Sequence, residues 1–148
     1  MRISEIYSSR QEINFHFEDT DIHGFCKQKA QKFIETLISG ENIALGQIQF
    51  IFCTDDYLLE INKRYLDHHT YTDIITFDYT EELNSLSGDI FISFDRVKEN
   101  AKKYQQCILT ELHRVMAHGV LHLAGYKDKT PAQKQTMRQK EDYYLSLL

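Results

Sequence analysis

Residues 73–93, DIITFDYTEELNSLSGDIFIS, hold two short apolar runs separated by a polar stretch. Asp73–Tyr79 and Gly88–Ser93 carry β-branched and aromatic residues as strands do, and EELNSLS between them reads as a hairpin loop. Two strands in immediate succession break any simple alternation of strand and helix. Downstream everything reads helical. Helices are predicted over Asp95–Tyr104 and Cys107–Ala124, with Gly125 ending the second as a left-handed cap. A last helix opens at Thr130-Pro131-Ala132-Gln133, where Thr130 and Gln133 form a capping-box pair around a proline at the first helical position.

Upstream, INFHF puts Ile13, Phe15 and Phe17 on one face of a strand and leaves His16 toward solvent. Cys26, Ala30, Phe33, Leu37 and Ile38 recur at helical spacing from about Phe25 to Ser39, and Gly40 is placed to terminate that helix. QIQFIFC reads as a strand with Ile48, Phe50 and Phe52 on its core side. Thr54 then caps a short helix carrying Leu58, Ile61 and Tyr65, with Asp55 and Asp56 at its positive N-terminus. The order β-α-β-α-β-β-α-α-α predicts an α+β fold, a mixed sheet of about four strands packed against helices.

The chain of 148 residues is 42% hydrophobic and 26% charged, a balance that excludes collagen-like and disordered classes. A fold of this length buries roughly 70% of its unfolded surface, so its core needs no cross-links. No repeat or linker divides residues 1–148, which are expected to form a single domain, and no apolar run predicts a membrane span. Cys26, Cys53 and Cys107 are odd in number and widely spaced; each is expected to act as a small buried hydrophobe rather than to join a disulfide. With no secretory signal expected in MRISEIYSSRQEINF, a reducing cytoplasm is the predicted setting. The net charge of −5 conceals an asymmetry. Residues 1–94 hold seven Lys and Arg against sixteen Asp and Glu, a net −9, whereas residues 95–148 hold ten against six, a net +4 able to face a polyanion.

The chemistry concentrates in HGVLHLAGYKD, residues 118–128. His118 and His122, four apart on a helix, differ by about 40° in azimuth and project from one face, at the C-terminal end of a central helix. Gly125 lets the chain turn back so that Asp128 supplies a third ligand. The spacing matches the zinc pattern H-x-x-x-H-x-x-G-x-x-H with aspartate in the last place. Three protein ligands leave tetrahedral zinc one open position, as in catalytic sites. Gly119 occupies the position where H-E-x-x-H peptidases carry their general base. Glu111, two turns before His118, either orients a ligand or sits at the surface, and the surface reading is preferred; His113, about 140° round the helix, should not join the metal.

HGVLHLAGYKD resembles the HGxLHLxGYDH signature of the YbeY family, metal-dependent endoribonucleases linked to ribosomal RNA maturation. TDIITF at 72–77 resembles the family's TDVLSF strand, Gly88-Asp89-Ile90 its GDI, and Met137 with Glu141 its trailing helix, so the likeness spans most of residues 47–148. Two departures stand out. Asp128 replaces a third histidine and Lys127 the aspartate before it, which lowers the formal charge of a zinc complex from +2 to +1 and makes its water less acidic. An arginine expected six residues before Thr72 is Leu66, with Arg64 two residues away, so no catalytic residue is assigned.

The resemblance implies a single-strand-specific endoribonuclease, a hydrolase of RNA phosphodiester bonds acting in rRNA processing, small-subunit rRNA 3′-end maturation and ribosome biogenesis. One Zn²⁺, or another divalent first-row metal, would be held by His118, His122 and Asp128. Its partners would be ribosomal RNA, the small ribosomal subunit and its assembly proteins. Lys98, Lys102, Lys103, Arg114 and Lys127 are candidate phosphate contacts. His68 and His69 read as loop residues, and Tyr126 either stacks on a base or anchors the turn after Gly125. The alternatives are a zinc metallopeptidase and a non-catalytic assembly factor whose metal staples the turn.

Overall fold

The computed structural model describes residues 11–67, 71–81 and 85–148. The strands are β1 (Glu12–Glu18), β2 (Leu45–Cys53), β3 (Ile74–Asp78) and β4 (Leu86–Ser93). The helices are α1 (Lys27–Gly40), α2 (Asp55–Leu66), α3 (Phe94–Lys103), α4 (Ile108–Leu123) and α5 (Pro131–Ser146). The sheet order is β1-β2-β4-β3; β1 and β4 lie parallel to β2, and β3 runs antiparallel along the outer edge of β4. This is the mixed sheet that two successive strands require. Part of the connection between β3 and β4, and with it part of the expected EELNSLS loop, lies outside the described residues, as do His68 and His69.

Alternation along the strands sorts the core. Ile48, Phe50, Phe52, Ile90 and Ile92 are fully buried in a core completed by residues of α1, α3, α4 and α5, while Cys53 and Ile75 form a smaller cluster with Leu58 of α2 on the other face. Thr54 caps α2 through its hydroxyl, and Thr130 and Gln133 form the expected capping box on α5. Gly40 ends α1 as expected, and two other local expectations, for Tyr65 and for the cysteines, are corrected. Gly40 ends α1 without a left-handed turn, which is taken by Asn42 at φ 57°; a Cβ on Gly40 would lie 2.6 Å from the Tyr144 hydroxyl, so close approach is what demands glycine. Tyr65 faces solvent, because α2 covers only a narrow patch of sheet. Cys26 and Cys107 are exposed as the residues preceding α1 and α4, and of the three cysteines Cys53 alone is buried.

The central element is α4. Leu112, Met116, Ala117, Val120 and Leu121 are fully buried, and Gly119 lets the helix settle on the sheet. A Cβ on Gly119 would lie 2.8 Å from Ile90 Cγ2 and 2.9 Å from Ile74 Cδ1. Gly119→Ala would gain about 1 kcal/mol of helix propensity but meet an overpacking cost of about 1–3 kcal/mol. The expected result is a net loss of about 1 kcal/mol, read as a lower urea midpoint at unchanged slope.

Candidate metal centre

The helical repeat brings the His118 and His122 rings together on the outer face of α4, with centroids 4.6 Å apart. The helix then stops. Gly125 takes φ +107°, its N–H donates to the His122 carbonyl, and the Tyr126 N–H donates to the Leu121 carbonyl, the paired bonds of a Schellman turn. The reversed chain delivers Asp128. Its Oδ2 lies 3.2 Å from His118 Nε2 and 3.4 Å from His122 Nε2. Four donors arranged tetrahedrally at about 2.0–2.1 Å from zinc are separated by about 3.3–3.4 Å, so the spacing fits such an ion. Two imidazole nitrogens and one carboxylate suit zinc or a neighbouring first-row divalent metal, whereas calcium prefers an all-oxygen shell.

Behind the donors lies a buried ionic network. His118 Nδ1 is 2.7 Å from Glu141 Oε2, a contact in which Nδ1–H donates and the Nε2 lone pair is left for an ion. Glu141 also receives Arg114 Nη1 at 3.2 Å, and Arg114 reaches Asp142 at 2.8 Å and Glu111 at 4.0 Å. The side chains of Arg114 and Glu141 are only 14% and 6% exposed. Burial alone would depress the His118 pKa, but the Glu141 hydrogen bond and the charges of Glu141, Asp128 and Asp73 outweigh it and hold the imidazole above its ordinary value. Surroundings that stabilise a proton there also attract a divalent cation, which must displace that proton to bind.

The site opens on a cleft of about 600 Å³ lined by Asp73, Glu111, Arg114, Met137 and Arg138 along with His118 and Asp128. Glu111 is buried, contrary to the surface position preferred for it, and burial raises its pKa. Arg114 is not a free phosphate contact, since three carboxylates surround it. Arg64 is exposed in the last turn of α2 and is not among the residues lining the cleft, whereas Lys134 and Arg138, one turn apart on α5, are. His113 stands apart from His118, His122 and Asp128: it is buried edge-on against Phe33, its Nδ1 bonds the Leu109 carbonyl, and burial depresses its pKa. Tyr126 anchors the turn, its hydroxyl donating to Glu41 at 2.5 Å.

A half-buried His-His-Asp group at the end of the central helix of an α+β domain is a donor set of the kind that metal-dependent hydrolases use. The comparisons narrow that class. Residues 12–148 match the family model described as Endoribonuclease YbeY, and the chain belongs to that family. It is 48% identical over 139 residues to Endoribonuclease YbeY of Cytophaga hutchinsonii, covering 93% of this chain and 97% of that protein. The Endoribonuclease YbeY of Christiangramia forsetii is also 48% identical, over 136 residues, covering 92% of this chain and 94% of that protein. Among solved structures, the solution structure of TM1509 from Thermotoga maritima aligns with a TM-score of 0.64 at 25% identity, over 89% of this chain and 87% of that one.

Proposed function

We propose that this chain is a zinc-dependent, single-strand-specific endoribonuclease that matures ribosomal RNA, at the 3′ end of the small-subunit species, in the cytoplasm. The observation that carries the reading is the convergence of His118, His122 and Asp128, whose Oδ2 lies 3.2 and 3.4 Å from the two Nε2 atoms, in a chain of the YbeY endoribonuclease family. An ion held by these three residues would supply positive charge to a phosphodiester oxygen and acidify a water. The protein supplies the rest. Glu141 fixes the His118 ring, Arg114 fixes Glu141, and the cleft admits a polynucleotide strand beside the donors. Lys134 and Arg138 stand on the cleft wall where phosphates would pass, in place of the arginine that Leu66 replaces.

A peptidase role is disfavoured by Gly119. The glutamate that would serve as general base has no space there, because even a Cβ meets Ile90 and Ile74. No described helix is long and apolar enough to cross a membrane. The test offers the zinc-loaded chain single-stranded RNA from the small-subunit 3′ region and, separately, a peptide library. RNA should be cut and peptides left intact, and log affinity for RNA should fall with log salt by about 0.7 per phosphate contacted. Peptide cleavage, or RNA affinity indifferent to salt, would overturn the reading.

A further inference from the structure

Glu41, in the residue that follows α1, makes its side-chain contacts far from its own neighbours in sequence. Its carboxylate is 6% exposed and receives three donors. Tyr126 donates to Oε1 at 2.5 Å, while Lys140 at 3.1 Å and the Tyr144 hydroxyl both donate to Oε2. Lys140 Nζ also stands 5.5 Å from the centre of the Tyr126 ring. Burial raises the carboxyl's pKa, but the two tyrosine hydrogen bonds and the lysine together outweigh it and hold the group below its ordinary value. Nor is the approach incidental, for Gly40 is bare where a side chain would strike Tyr144.

These three donors sit beside the two parts of the metal centre that α4 does not itself carry. His118 and His122 are fixed by a helix packed into the core. Asp128 hangs on the turn after Gly125, and Tyr126 is the residue of that turn fastened to Glu41. Glu141 lies on α5 between Lys140 and Tyr144, the other two donors. A single carboxylate just past the end of α1 thus ties the turn to the helix behind it, across 85 residues of sequence in one case and 99 and 103 in the others.

We infer that Glu41 is a positioning residue for the metal centre: through Tyr126 it holds the Gly125–Asp128 turn where the aspartate meets the two histidines. The inference rests on the assignment of the ion to His118, His122 and Asp128. Asp128 Oδ2 must fall within a few tenths of an ångström of its place to share an ion with both imidazoles, and the backbone between Gly125 and Asp128 has no regular structure to enforce this. The bond of Tyr126, two residues upstream of Asp128, to the charged, buried Glu41 supplies the restraint. The lysine and Tyr144 hold the acceptor in turn, and their loss should weaken the fold more than the site.

The experiment compares zinc affinity, by competition with a chromogenic chelator well below the melting temperature, with the melting temperature of the metal-free proteins. Tyr126→Phe keeps the ring and removes the hydroxyl, and is expected to weaken zinc binding about tenfold, the lower end of what outer-shell substitutions cost. Glu41→Gln should weaken it at least as much. Tyr144→Phe cuts the arm to α5 and should lower the melting temperature while leaving zinc affinity within about twofold. Should Glu41→Gln fail to fold, Tyr126→Phe and Tyr144→Phe still decide the matter. Equal zinc affinity in wild type and Tyr126→Phe, or affinity that merely follows melting temperature across the variants, overturns the positioning role. A His118→Ala chain that still binds zinc as wild type does would overturn the ligand assignment instead, and the inference with it.

Discussion

His118→Ala should leave the purified chain without stoichiometric zinc and should cut RNA cleavage about a thousandfold. The Lewis-acid contribution of a metal ion is several kcal/mol, and each 1.36 kcal/mol is about tenfold in rate. Deleting one of three donors leaves His122 and Asp128 with no chelating partner at the Nε2 position opposite. The variant should still fold. Glu141 loses its bond to Nδ1 but keeps Arg114 at 3.2 Å, so no buried carboxylate is stranded. Circular dichroism matching the wild type, metal analysis near zero and lost cleavage are expected together. Full zinc occupancy in the variant would show that the ion is held elsewhere, and full cleavage without zinc would show that it plays no part in the reaction.

The second large effect concerns the network behind the donors. Arg114→Met should destabilise the fold by about 3–5 kcal/mol, because it removes the cation from two buried carboxylates, Glu111 and Glu141. At about 2–4 °C per kcal/mol for a domain of this size, the melting temperature should fall by about 10 °C. The deficit also has a pH signature. Burial already raises the Glu111 pKa, and Arg114 opposes that rise, so the substitution pushes it further upward. An acid whose folded pKa exceeds its unfolded value costs stability above that folded value, and the cost disappears below the unfolded value of 4.5. The gap between variant and wild type should therefore be widest at neutral pH and narrow toward pH 4. A constant gap across that range would assign the loss to packing of the arginine stem.

Much of this architecture was legible in local patterns. Strand alternation placed Ile48, Phe50 and Phe52 in the core, the Thr130 capping box opened α5, and the spacing of His118, His122 and Asp128 about Gly125 set out a triad that the structure brings together. All of these are encoded over a few residues by a helical or strand period. The parts that escaped depend on contacts between distant elements. Glu111 and Arg114 look like an exposed helical pair, and only the arrival of α5, with Glu141 27 residues away, turns them into a buried network. Gly40 resembles an ordinary helix stop because nothing nearby announces Tyr144. Glu141 does stand in the stretch resembling the family, but that likeness carries no hint of a bond to His118 Nδ1.

The setting of α4 decides how an ion can enter and leave. A helix whose inward side chains have no solvent contact opens only when the whole domain does, so its amide protons should be the slowest to exchange with deuterium. The reversal at Gly125, where no atom would touch an added methyl group, is bounded by far less material. An ion held by His118, His122 and Asp128 would leave as the Tyr126 bond to Glu41 breaks and Asp128 swings aside, while the rest of the molecule stays shut.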